Sequence, residues 1–369
     1  MRVLCVTWEY PPRLFGGLGR HVEGLVGALA EAGADVTVLT PHSDEPEPDR
    51  HPRIRVLRAP APAVALPADR WLAGTLDANV AMAAAALRAG VVADVLHVHD
   101  WMAGHAARVL APALGVGVVA TVHATERGRH QGHLPPGYSA WIDAQERQLI
   151  ALADRVVVCA DHMADHVSRH LGADLDVGEV IPNGVDVVRW GAARPRPAGP
   201  LPRVVFAGRL EHEKGVDVLL AATEGLDCEV VVAGAGTQAP ALRRSAHDRV
   251  RFEGHLAQPA LAALLRSAAV VVVPSRYEPF GLAALEAMAA GVPVVASAVG
   301  GLLDVVAGDA GVRVPPGDVR ALRQAISAVL GDPDRAAALA RTGQARAAAF
   351  SWARSADAHL AVYDAVRRW

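Results

Sequence analysis

Arg209 and Lys214 frame the segment Gly208-Arg-Leu-Glu-His-Glu-Lys-Gly215. A planar guanidinium fork beside a point-charge ammonium suits the oxygens of a diphosphate. The bland counterpart is a set of surface salt bridges to Glu211 and Glu213. Further along, Glu278 and Glu286 bracket the turn Phe280-Gly281-Leu282. That turn opens a helix, where backbone N–H groups and the helix dipole favour an anion. Both glutamates sit among apolar neighbours, where an unpaired charge is costly, so each is expected to hold something polar. Taken together, these residues read as a clamp on an anion.

Other candidates stand in the first half. Gly16-Gly17-Leu18-Gly19-Arg20-His21 joins a strand to a helix, where glycines let a ligand approach the backbone. A dinucleotide fingerprint fits poorly, because Val22 follows Gly19 at three positions and no acid ends the second strand at Leu39-Thr40-Pro41. A structural tight turn remains open. His97-Val-His99-Asp100-Trp101 and His123 fall at strand ends, and strand alternation puts residues 97 and 99 on one face. No further ligand follows at motif spacing, so no metal site is assigned. His162, His166 and His170 read as a solvated helix stripe, and Asp174-Leu-Asp176 lacks accompanying acids.

The elements that must position these groups alternate between strand and helix along the whole chain, the pattern of an α/β protein with covered parallel sheets. Strands are expected at Arg2–Thr7, Asp35–Thr40, Val95–Val98, Val116–His123, Arg155–Cys159 and Val177–Ile181, with helices between them. Residues 41–69, rich in Pro, Asp and Arg, read as a long irregular connection, and Thr125–Tyr138 as a polar loop. The Pro/Gly run Gly191–Pro202 reads as a linker. A second series follows, with strands at Arg203–Ala207, Glu229–Ala233, Val250–Glu253, Val270–Val273, Pro293–Ala296 and Gly311–Val314. From Val319 the chain is helical, broken at Gly331 and Pro333. The expected division is therefore 1–190 and 203–350 as two Rossmann-like domains, 191–202 as linker, and 351–369 as a terminal helix. Two such halves are expected to face each other across a cleft at their carboxyl strand ends.

Composition agrees with this division. At 369 residues the chain exceeds one ordinary core. Its formal net charge of -3 argues against nucleic-acid binding through bulk charge. No apolar run reaches the roughly 18 residues of a membrane span, and Met1–Thr7 reads as a core strand rather than a signal peptide. Cys5, Cys159 and Cys228 lie in or beside strands as small hydrophobes, which fits a reducing compartment, taken as the cytoplasm.

Arg209…Lys214, Glu278…Glu286, Gly16-Gly17-Leu-Gly19, Ile181-Pro-Asn-Gly-Val-Asp186 and Gly300-Gly301-Leu-Leu-Asp304 together resemble the family 4 retaining glycosyltransferases of the GT-B fold. The resemblance spans essentially the whole chain. His99-Asp100-Trp101 and His123-Ala-Thr-Glu126 resemble glycogen- and starch-synthase-type enzymes within that family. It implies that Arg209 and Lys214 hold the donor diphosphate, that Glu278 approaches the sugar hydroxyls, and that Glu286 binds the nucleotide ribose. Gly208 and the Phe280, Gly281 and Leu282 backbone would lie near sugar or phosphate. Gly16 and Gly17 would approach the phosphate and the acceptor, and Asn183 would shape the cleft. His123 would sit by the reacting sugar, with Asp100, Glu126 and His130 on the acceptor side. The terminal helix would return to the first domain in a structural role.

The same resemblance implies a metal-independent transfer of a hexosyl group, with a nucleotide sugar as co-substrate and no other cofactor. The sequence leaves the acceptor open. The loop His130-Gln-Gly-His133-Leu-Pro-Pro-Gly-Tyr138 suits a glucan end, a sugar phosphate or an aminocyclitol-like polyol. A glycolipid acceptor is hinted at only faintly by Arg70, Trp71 and Leu72, which read better as core packing. A non-catalytic nucleotide-sugar binder and a sugar-nucleotide epimerase are the rivals from other classes. The first predicts tight nucleotide binding without sugar release.

Overall fold

The computed structural model describes residues 1–42, 51–60, 71–172, 178–197 and 199–367. Two compact units result, Met1–Gly184 with Trp352–Trp369, and Val185–Ser351.

The first unit is built on a seven-stranded sheet of order β3-β2-β1-β4-β5-β6-β7. Its strands are β1 (Arg2–Val6), β2 (Asp35–Pro41), β3 (Ile54–Ala59), β4 (Val95–His99), β5 (Gly117–Val122), β6 (Arg155–Val158) and β7 (Gly178–Val180), all paired in parallel. Helices α1 (Gly17–Glu31), α2 (Trp71–Arg88), α3 (Gly104–Leu114), α4 (Glu126–Arg129), α5 (Tyr138–Leu152) and α6 (Asp161–Leu171) connect them. The strands are near-continuous apolar runs because helices cover both sheet faces. Alternation along β1 shows this: Val3 and Cys5 join one core cluster with α1, while Leu4 and Val6 join another with α2 and α3.

The second unit repeats the plan with a six-stranded sheet of order β10-β9-β8-β11-β12-β13. It begins with α7 (Val187–Ala192), then β8 (Arg203–Ala207), α8 (Val216–Thr223), β9 (Glu229–Ala233), α9 (Ala239–Ser245), β10 (Val250–Gly254) and α10 (Gln258–Leu265). After these come β11 (Val270–Val273), α11 (Leu282–Ala289), β12 (Val294–Ser297), α12 (Leu302–Val305), β13 (Val312–Val314), α13 (Val319–Leu330) and α14 (Pro333–Ala347). The last helix, α15 (Trp352–Val366), belongs to the first unit and lies along α1.

Three expectations are corrected. Residues 41–69 are not wholly irregular, because β3 adds an edge strand in register from Val36↔Ile54 to Pro41↔Ala59. Exposed Arg55 between half-buried Ile54 and Val56 is the mark of a half-covered edge, hidden in the sequence by the Pro-rich flanks. Within the polar loop at 125–138, α4 forms a single turn capped by Thr125, whose side chain accepts from the Gly128 N–H. The division between units falls at Gly184/Val185 rather than at 190. Asp186 caps α7 by accepting from the Arg189 N–H, and α7, carrying the buried Trp190, packs on α11. Residues 43–50, 61–70 and 173–177 lie outside the described residues, and with them Arg70, Asp174 and Asp176. Among the described residues no helix is long and apolar enough to cross a membrane.

Candidate active site

In the second unit, the loop after β8 and the loop after β11 are locked together. Gly215 has φ +66°, and a Cβ there would overlap the Pro274 carbonyl, so the two loops approach at backbone distance. The Glu213 carbonyl accepts from the Arg276 N–H at 2.8 Å, and Arg276 grips Asp217 with two bonds of 2.8 and 2.7 Å. That pair raises the guanidinium and holds the Asp217 carboxyl below its ordinary range.

This scaffold brings the sequence-predicted residues into one neighbourhood. Lys214 Nζ donates to Glu278 Oε2 at 2.9 Å, and Ser275 Oγ donates to the same oxygen at 3.0 Å. Arg209 Nη2 donates to Glu213 Oε1 at 2.7 Å, and its side chain stays 41% exposed. The salt-bridge reading thus holds for Arg209 and Glu213 but not for Lys214. Glu211 turns away to accept from the Thr237 N–H and hydroxyl. Gly281, at φ +109°, starts α11, a backbone conformation that side chains other than glycine's rarely adopt. The Glu278 carbonyl accepts from the Gly301 N–H at 2.9 Å, which ties the Gly300-Gly301 turn to the same loop. The Phe280 ring packs edge-to-face on Phe350, so only its backbone is left to face a ligand. Gly208 donates its N–H to the Ala233 carbonyl, and Glu286 is buried in α11.

In the first unit the alternation of β4 sends His97 and His99 to the sheet face covered by α1 and α15. There, five histidines gather: His21 from α1, His97 and His99 from β4, His123 after β5, and His359 from α15. His97 is held by the Tyr363 hydroxyl and by Thr121 Oγ1, each at 2.7 Å. His99 Nδ1 lies 3.1 Å from His123 Nε2. Burial lowers the pKa of every ring in the group, that of His123 to about 3, and for His21, His97, His99 and His123 the neighbouring imidazoles add to the effect. The neutral imidazole is therefore the favoured form of His123.

Asp100, expected as an acceptor contact, is buried and turned inward. Its Oδ1 accepts from the His123 N–H at 2.7 Å, and burial pushes its carboxyl up to about 7. It positions His123. Glu126 and His130 meet each other at 3.2 Å, and the Ser139 hydroxyl donates to the same Glu126 oxygen at 2.6 Å. Asn183 Oδ1 accepts from His21 Nδ1 at 2.7 Å in the first unit. The Gly16 N–H is used internally: it and the Phe15 N–H donate to Glu9 Oε2 at 3.0 and 2.9 Å. Gly17 begins α1 directly after it.

Sequence reasoning missed Glu9, His21, Ser275, His359 and Tyr363. A glutamate near a glycine-rich turn was the available signal for Glu9. Ser275 stands three residues before Glu278, a local signal, whereas His21, His359 and Tyr363 meet partners from distant segments, which no local spacing encodes.

Residues 15–189 match the family described as Glycosyltransferase Family 4, and residues 201–332 the one described as Glycosyl transferases group 1. The whole chain is 40% identical to a glycogen synthase of Mycobacterium tuberculosis and covers 95% of it. It is 36% identical to a D-inositol 3-phosphate glycosyltransferase of Xylanimonas cellulosilytica, over 94% of this chain and 91% of that one. Among solved structures, a sucrose-phosphate synthase from Thermosynechococcus elongatus superposes with a TM-score of 0.84 at 27% identity, covering 99% of both chains. The chain belongs to the family 4 glycosyltransferases, and its two Rossmann-like units are those of the GT-B fold.

Proposed function

We propose that the protein moves a glucosyl group from UDP-glucose or ADP-glucose to an acceptor hydroxyl, with retention at the anomeric carbon and without a metal. The reading rests on one observation: Lys214 is hydrogen-bonded to Glu278 at 2.9 Å beside the amides that open α11, with Arg209 fixed on the same loop. As the glycosidic bond breaks, negative charge grows on the departing diphosphate. Fixed cations and backbone amides that tighten on it at that moment lower the barrier. The leaving phosphate accepts the proton of an acceptor hydroxyl attacking from the same face, so no carboxylate nucleophile is needed. Glu278 takes the sugar hydroxyls, and Glu286 the ribose.

The first unit carries the acceptor, and His123, as a neutral ring held by Asp100, takes a sugar hydroxyl. The 40% identity to a glycogen synthase favours an α-glucan end. The relative named for D-inositol 3-phosphate supports a phosphate-bearing small polyol as the second reading. The test incubates the protein with each nucleotide sugar, with maltooligosaccharide or with a sugar or polyol phosphate, and follows nucleotide release and product mass. Elongated glucan supports the first reading, and release only with the small acceptor supports the second. Tight nucleotide binding with no transfer to any acceptor refutes both.

A further inference from the structure

The histidines of the first unit do not share one role. His97 has both ring nitrogens occupied, whereas Nε2 of His21 is buried with no hydrogen-bond partner among the described residues. Polar atoms left unpaired at such depth are costly and rare in native interiors. His21 is oriented as metal-ligating histidines are: Nδ1 donates to Asn183 Oδ1, which fixes the tautomer and leaves the lone pair on Nε2. One nitrogen from each of His21, His99 and His123 lies within 4.8 Å of the others. The His99 Nδ1 to His123 Nε2 separation is 3.1 Å. A tetrahedral zinc ion with Zn–N bonds of about 2.0–2.1 Å spaces its ligand nitrogens roughly 3.3 Å apart. Small ring rotations therefore close the set. His123 retains partial exposure, which admits an ion and leaves a position for an exchangeable ligand.

We propose that His21, His99 and His123 bind one divalent transition-metal ion of the zinc type, and that the bound ion withdraws His123 from sugar transfer. The second clause rests on the role given to His123 above; the first does not. On binding, the proton between His99 Nδ1 and His123 Nε2 moves to another ring nitrogen or to solvent, freeing both lone pairs for the metal.

His166 and His170, with ring centroids 4.6 Å apart on α6, form a competing chelate, so the test is made in a His166→Ala/His170→Ala background. The full chain without a histidine tag is titrated calorimetrically with ZnCl2, and nucleotide release is measured across the same zinc range. The expected result is one zinc ion per chain, lost in His21→Gln. Asn183→Ala, which leaves all three rings in place, should weaken binding by about 10–100-fold. Thermal melts confirm that each variant is folded. Inhibition should follow the binding midpoint. No zinc uptake by the parent, or undiminished uptake by folded His21→Gln, overturns the site. Uptake that depends on His21 but leaves transfer untouched keeps the site and overturns the role of His123.

Discussion

Lys214 Nζ stands 2.9 Å from Glu278 Oε2, although the two residues are 64 positions apart and Lys214 has glutamates in its own segment. The contact fixes the ammonium beside the start of α11 while Ser275 shares the carboxylate oxygen. On the proposed function, an incoming diphosphate would meet a charge already in place, leaving little reorganisation for the transfer step. Lys214→Ala should lower turnover on the order of 10²-fold or more, by analogy with losing one oxyanion donor. Steady-state kinetics with the accepted nucleotide sugar checks this. Turnover near the parent value would remove the clamp from the mechanism.

Asp100 holds its backbone at φ 57° and ψ 167°, a region that glycine ordinarily occupies, and from there accepts the His123 N–H. A strained residue with its carboxylate on the backbone of another site residue is a positioning device. Asp100→Asn keeps an oxygen for that N–H, and Asp100→Ala does not. Alanine should cost about 10²-fold in kcat, the scale of a misplacement near 1 Å, while asparagine stays much closer to the parent. Any limb of the pH profile near 7 that belongs to Asp100 should disappear in the asparagine variant. Equal losses in both variants would assign Asp100 a charge-dependent role instead.

The strands were legible because sheets covered on both faces need long apolar runs, as in Val270–Val273 and Val294–Ser297. The Arg209, Lys214 and Glu278 neighbourhood was legible because each residue lies in a loop that runs from the end of a strand to the start of a helix in such a sheet. The edge strand β3 was not, since it carries arginines at two of its six positions, Arg55 and Arg58, and resembles a loop. His97, His99 and His123 were legible at strand ends, but the partners that complete the cluster were not. His21 meets Asn183 across 162 positions, and His97 meets Tyr363 across 266. The first contact joins α1 to the segment after β7 and the second joins β4 to α15, so neither is written in local spacing.

That docking can be probed at Gly24, where a methyl group would overlap the Trp352 indole. In an open helix, Gly→Ala gains up to about 1 kcal/mol. Here overpacking should reverse the sign and cost about 1–3 kcal/mol, lowering Tm by roughly 2–10 °C in a unit of this size. Trp352→Ala removes the obstacle, so the double variant should lose less stability than the two single changes summed. Additive losses would mean that Gly24 and Trp352 do not meet.

Glu146 Oε1 accepts from the Glu126 N–H at 2.8 Å, while Oε2 is buried with no partner among the described residues. Burial pushes this carboxyl up to about 8 from an ordinary 4.5, with the Asp100 and Glu126 charges adding to the rise and Arg129 opposing it. The folded chain then holds the proton more tightly than the unfolded chain. The resulting stability is fully present below the ordinary value and is lost as pH rises toward about 8. Glu146→Gln keeps a carbonyl oxygen for the amide and cannot ionise. Parent and variant should therefore have similar stability near the ordinary carboxylate pKa. The glutamine chain should gain steadily on the parent through neutrality, at up to about 1.4 kcal/mol for each pH step of one, and the gap should level off above the folded value. Urea unfolding at a series of pH values measures it. Parallel curves for the two chains would show that Glu146 ionises freely in the folded protein.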